Sequence, residues 1–159
     1  MTSLNVWYYR SDDPEGRGRP EVVRSVEELD AVLDHVLAHP QPHPSVLVVR
    51  ERPEVGDGFP DHQVKIDASA VAAVGAVLCQ GPADFAPDRV DGDADGGTWV
   101  TWNAAAGAAT TDLFIDKATG TLFPSSAHLP LPVWREALRR LLRTGRRPDN
   151  VDWQDSEVY

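Results

Sequence analysis

The chain has 159 residues, 42% of them hydrophobic, and a chain of this length can bury about two-thirds of its unfolded surface in one core. Its 25 acidic and 15 basic residues give a formal net charge of -10, which disfavours nucleic acid and anionic membranes as partners because both would repel it. A basic partner suits this charge, although acidity also serves solubility alone. The sequence predicts one domain over residues 1–159.

Composition also predicts a reducing compartment. The longest apolar stretch, residues 70–79, is far shorter than the roughly 20 residues that cross a bilayer, and the first nine residues do not resemble a secretory signal. The lone Cys79 cannot form an internal disulfide. We therefore expect a cytoplasmic protein with a buried, inert thiol.

Three elements are predicted in the first third of the chain. The aromatic and β-branched run at residues 6–9 predicts a strand. Ser25 and Glu28 form a capping box before a helical apolar pattern that must end near His39, because prolines follow at 40, 42 and 44. The apolar run at residues 46–49 predicts a strand that is buried on both faces.

The middle of the chain predicts several strands. Alternation over residues 63–67 and the apolar run 71–79 indicate two of them, the second with a potential break at Gly75. The segment 80–97 is rich in Asp, Pro and Gly and predicts a loop. A further strand is expected over residues 98–103, and a hairpin is expected to join 111–115 to 121–123.

An amphipathic helix is predicted near the end of the chain, over residues 132–143, with apolar residues at three- and four-residue steps. Gly145 supplies a left-handed stop, Pro148 prevents resumption, and residues 151–154 alternate like an edge strand. The element order predicts an α+β fold, with two main helices packed on one face of a largely antiparallel sheet.

No catalytic motif stands out. Asp61 and His62 have the residue types of an acid/base pair, but sequence neighbours rarely point at each other on a strand. Two other interpretations are a turn in which Asp61 bonds nearby backbone amides, and direct contact with a partner. We predict a non-enzyme without cofactor; a small hydrolase is the most distant alternative.

Two patterns have the residue types of metal sites. His35, His39 and His43 are evenly spaced, but Pro40 and Pro42 spoil the geometry of a zinc site for His43. The run from Asp91 to Gly96 resembles the start of a calcium loop, yet Trp102 stands where a bidentate glutamate is needed. No metal is predicted; a solvated turn and an acidic partner-binding loop remain the other interpretations of the run.

Aromatic and acidic residues together are typical of binding surfaces. Trp99 and Trp102 lie on opposite faces of one predicted strand, so one of them could be partly exposed. The candidate partner-binding residues are Asp57, Asp61, His62, Asp91, Asp93, Asp95, Trp99 and Trp102.

Three stretches, in order and spacing, carry a resemblance to a known family: Gly-Phe-Pro-Asp-His at 58–62, Gly-Thr-Trp at 97–99, and Thr-Gly-Arg-Arg-Pro at 144–148 followed by Val-Asp-Trp-Gln at 151–154. The chain resembles the first-numbered family of immunity proteins from bacterial polymorphic toxin systems. The resemblance implies a cytosolic protein that binds and neutralises a cognate secreted toxin domain, of deaminase fold or a nuclease, by blocking its active site or substrate groove. Such a toxin is expected to be basic. The alternative is a stand-alone interaction or regulatory module without a toxin.

Overall fold

The computed structural model of the protein describes residues 1–12, 18–86 and 96–158. Within these residues the two main helices are α1 (Val26–Ala38) and α2 (Leu131–Thr144). The strands are β1 (Leu4–Trp7), β2 (Glu21–Val23), β3 (Ser45–Val49), β4 (Glu54–Val55), β5 (Phe59–Pro60), β6 (Gln63–Ser69), β7 (Val74–Gly81), β8 (Gly97–Trp102), β9 (Phe114–Asp116), β10 (Thr121–Leu122), β11 (Leu129–Pro130) and β12 (Asp152–Asp155).

Eight of these strands form one sheet in the order β12-β8-β7-β6-β3-β1-β2, with β11 added beside β7. Every pairing in this sheet is antiparallel. The hairpins β4–β5 and β9–β10 stand outside it. The predicted α+β class is confirmed, as are the hairpin around Gly120 and the final edge strand.

The two faces of the sheet are covered differently. Both helices pack on one face, where Leu29, Leu33, Trp134 and Leu138 join the inward residues of the strands in the main core. On the other face a smaller core lies under the β9–β10 hairpin, around Leu78, Val100, Leu113, Ile115 and Phe123. This smaller core covers only part of its sheet face, and the rest of that face borders a groove.

Local sequence signals set the ends of both helices. The Ser25 hydroxyl accepts a hydrogen bond from the Glu28 amide at 3.1 Å, and α1 ends before His39 as predicted. Helix α2 has proline in its first turn and ends at Gly145, whose φ of 67° is left-handed. The helices face each other through Asp30, which forms ion pairs with Arg135 and Arg139.

Four strand predictions differ from the structure. The strand predicted over residues 111–115 is β9, which begins only at Phe114. The first strand is β1, two residues earlier than predicted, and β3 alternates buried with half-buried residues, so it is not buried on both faces. The chain turns through residues 71–73, and β7 continues to Gly81 without a break at Gly75. A Cβ at Gly75 would lie 2.5 Å from the Trp134 ring, so this glycine makes room for the helix.

Candidate functional site

A groove of about 910 Å³ lies on the sheet face opposite the helices. Its floor contains Trp7, Val46 and Val48, which alternate along their strands with residues of the main core. Gln63 pairs with Gln80, which pairs with Thr98, so polar side chains from adjacent strands continue the floor. The two ends of the groove thus differ in polarity: one is apolar, and the other is lined by neutral hydrogen-bonding groups.

The β4–β5 hairpin forms one wall of this groove. Val55 and Phe59 are a cross-strand pair, and both line the groove. The turn between them is Gly56-Asp57-Gly58, in which both glycines have positive φ, at 58° and 87°. Phe59 remains 69% exposed and Val55 53% exposed. The hairpin therefore displays an apolar pair beside a carboxylate at its tip.

An ion-pair network holds the base of this hairpin. Arg52 donates to both carboxylate oxygens of Asp61, at 3.1 and 2.8 Å, and to Asp84 at 3.0 Å. The Asp61 amide donates to the Pro53 carbonyl at 3.2 Å, which closes the hairpin below its two short strands. Burial alone would raise the pKa of the Asp61 carboxyl, but Arg52 and His62 together hold it below its usual range.

Asp61 and His62 do contact each other, contrary to the expectation for sequence neighbours. His62 Nδ1 lies 2.8 Å from Asp61 Oδ1, and His62 Nε2 accepts a hydrogen bond from the Val49 amide at 2.8 Å. Because an amide can only donate, the neutral ring must carry its proton on Nδ1 and donate it to Asp61. The interpretation in which Asp61 bonds backbone amides is therefore wrong: its carboxylate bonds Arg52 and His62.

Both nitrogens of His62 are thus engaged in holding the fold. Burial lowers the pKa of this imidazole, and the Asp61 carboxylate opposes the shift without cancelling it. A buried neutral ring whose acceptor nitrogen bonds an amide has no free position for taking a proton from a substrate. The pair fixes β3 to the segment that carries the hairpin.

The three stretches that carry the family resemblance meet around Phe85. The His62 ring lies 4.9 Å from the Phe85 ring, centroid to centroid, and the Arg147 amide donates to the Phe85 carbonyl at 2.8 Å. The guanidinium carbon of Arg147 lies 4.6 Å from the centre of the Trp99 ring and 5.3 Å from that of Trp153. Residues far apart in sequence therefore form one support behind the groove.

The predicted partner-binding residues occupy different places. Asp57 is exposed at the hairpin tip, and Trp102 is 43% exposed at the end of β8, so the expectation of one partly exposed tryptophan is confirmed. Trp99 is only 2% exposed, and Asp61 and His62 lie in the groove wall, where their polar atoms are bonded within the protein. Asp91, Asp93 and Asp95 lie outside the described residues, as does the whole calcium-like run except Gly96.

Sequence reasoning missed the hairpin residues Val55, Phe59 and Arg52. The sequence around these residues does carry a hairpin signal, because glycines stand on both sides of Asp57 between the apolar residues Val55 and Phe59. The local sequence pattern does not show which register pairs Val55 with Phe59. It also does not show that Arg52 pairs with the distant Asp84.

The described residues contain no group of three or more His, Cys, Asp or Glu side chains that could hold a metal ion. The rings of His35 and His39 stack at 4.1 Å, and each has a ring nitrogen 3.1 Å from a backbone carbonyl. Cys79 is buried, and burial raises the pKa of its thiol. Over the same part of the chain, the helices are too short or too polar to span a bilayer.

Fold and groove together define an α+β protein with a partly apolar groove on the sheet face opposite its helices. The family model described as Immunity protein Imm1 matches residues 17–155, and the chain belongs to that family. The resemblance carried by the three stretches is thereby confirmed. A comparison with curated proteins finds no match to the chain.

Proposed function

We propose that this protein neutralises a cognate secreted toxin domain by binding it directly and obstructing its active site or nucleic-acid groove. Membership of the immunity protein family is the observation that carries the proposal. The toxin class to test first is a deaminase-fold enzyme acting on nucleic acid, followed by a nuclease. Protection of the producing cell places the complex in the cytoplasm.

Charge supports a partner that acts on nucleic acid. An enzyme that binds a phosphate backbone needs a basic cleft, and a protein of net charge -10 complements such a surface. Carboxylates can occupy positions that phosphates would take in the substrate complex. Long-range attraction would also speed the encounter, which matters for an inhibitor that must capture every toxin molecule.

The state of the polar groups beside the groove supports inhibition by binding rather than by a reaction. Asp61, His62 and Arg52 already bond one another or the backbone. Since a general base needs a free acceptor aimed at its substrate, this constellation suits a scaffold.

The test is co-expression with the toxin domain encoded by the neighbouring reading frame. We expect the two proteins to co-purify at a fixed ratio, and rescue of growth to rise with inhibitor dose until that ratio is reached. A large molar excess of toxin silenced by a small amount of this protein would overturn direct inhibition. Rescue without any complex would overturn it as well, and absence of both would favour the stand-alone interaction module.

A further inference from the structure

We infer that the β4–β5 hairpin and the adjoining groove are the surface that receives the toxin domain, with Phe59 and Val55 as apolar anchors against a basic face of that partner. This inference rests on the proposed function and adds the place of contact. It identifies residues outside the set that the sequence pattern indicated.

Val55 and Phe59 form an exposed apolar pair on the hairpin. Single exposed hydrophobic residues are ordinary on protein surfaces, but Val55 and Phe59 are paired across two strands and continue into a groove whose floor includes Trp7, Val46 and Val48. A paired apolar surface that stays exposed beside a groove is suited to contact with a partner. An aromatic side chain beside such a groove can bury a large area at low cost in conformational entropy.

Hydrogen bonds and ion pairs hold the base of the hairpin in place. Arg52 bonds both oxygens of Asp61, whose neighbour His62 accepts from the Val49 amide, so the hairpin is tied to the central strands at 2.8–3.1 Å. A surface held in place before binding loses little freedom when a partner arrives. The buried polar network therefore positions the anchors rather than contacting the partner itself.

Charge complementarity indicates the chemistry of the occupant. Glu54 and Asp57 are exposed on the hairpin, and the Asp84 side chain is exposed at its base. Among the described residues that line the groove none is Lys or Arg, and the nearby Arg52 is neutralised by Asp61 and Asp84. An apolar pair flanked by carboxylates fits a basic surface, which is the type of partner inferred for this family member.

The experiment measures binding kinetics between the full chain and the toxin domain encoded by the neighbouring reading frame. Phe59→Ala is compared with Leu122→Ala, and Val55→Ser with Val71→Ser, because Leu122 and Val71 are exposed hydrophobic residues that do not line the groove. We expect Phe59→Ala to weaken binding about 30-fold or more, mainly through faster dissociation. Val55→Ser should weaken it about tenfold, while both controls stay within about twofold.

Thermal unfolding of all four variants should match that of the unchanged protein, since none of the altered side chains is buried. Strong binding by the unchanged protein together with equal binding by Phe59→Ala and Val55→Ser would overturn the hairpin surface and leave the proposed function intact. If the unchanged protein neither bound nor protected against the toxin domain, both proposals would fall. Equal losses in the groove variants and the controls would also exclude the hairpin as the specific anchor.

Discussion

At the scale of single residues, burial decides which polar groups can contact a partner or a substrate. Asp61 and His62 have the residue types of an acid/base pair, but the fold directs their polar atoms toward Arg52, toward each other and toward the Val49 amide. A buried polar group is costly unless it is bonded, so each of these partners is required by the others. Their role is to support the hairpin.

The buried His62 should make stability depend on pH. Its pKa is lowered by burial, so the unfolded chain, with an ordinary histidine pKa near 6.5, takes up the proton first as the pH falls. The contribution of neutral His62 is complete above about pH 6.5 and is lost as the pH falls toward the folded pKa. Urea titrations should therefore show the free energy of unfolding decreasing from pH 7.5 to pH 5.

His62→Gln is the control variant, because an amide side chain can accept from Val49 and donate to Asp61 without titrating. The pH slope should become shallower in it. Part of the slope should persist, since burial also lowers the pKa of His128. An identical slope in the variant would contradict the assignment to His62.

Trp134 is the largest fully buried side chain in the described part of the chain. Its indole N–H donates to the Ala76 carbonyl at 3.2 Å. Trp134→Ala should lower the free energy of unfolding by about 3–5 kcal/mol, and protection should be lost through unfolding. Trp102→Ala, at the partly exposed tryptophan, should change stability far less in the same denaturant titration. A Trp134→Ala variant of full stability would show that this ring is not part of the core.

At the scale of elements, caps and glycines let the local sequence fix the ends of α2. Gly145 is required twice, since its backbone is left-handed and a Cβ there would lie 2.8 Å from the methyl group of Thr2. Thr2 cannot move away cheaply, because both its amide and its hydroxyl donate to the Leu142 carbonyl. The helix end is thereby joined to the start of the chain.

Gly145→Ala should therefore lower the free energy of unfolding by more than the strain of a left-handed backbone alone. The matched control is Gly120→Ala, whose φ of 70° is similar but whose new Cβ would meet nothing within 4 Å. We expect a loss of about 1 kcal/mol for Gly120→Ala, from backbone strain, and about 2–4 kcal/mol for Gly145→Ala, from strain plus overpacking. Chemical denaturation of both variants measures the difference; equal losses would show that Thr2 yields without cost.

At the scale of the whole molecule, net charge should govern how fast a partner arrives. Asp91, Asp93 and Asp95 lie outside the described residues, and their closely spaced negative charges are known from the sequence. Changing all three to Asn removes three of the 25 acidic residues while keeping side-chain size. Stability should barely change, association with a basic toxin domain should slow, and its dependence on ionic strength should flatten.

Stopped-flow association at several salt concentrations measures this effect, with the dissociation rate as internal control. An unchanged association rate and salt slope would remove the Asp-rich segment from the steering surface. Asp57 and the acids near the C-terminus would then be the next positions to neutralise.

The sequence by itself determined the elements whose signals are local. Helix α1 follows from Ser25 and the apolar spacing after it, α2 from its stripe and Gly145, and the final edge strand from alternation, because caps and periodicity act within a few residues. Only the tertiary structure decided the groove, the Arg52–Asp61–His62 network and the meeting of three distant stretches around Phe85 and Arg147. These depend on which strands become neighbours and in which register, and such long-range pairing is set by burial of the whole chain rather than by any local pattern.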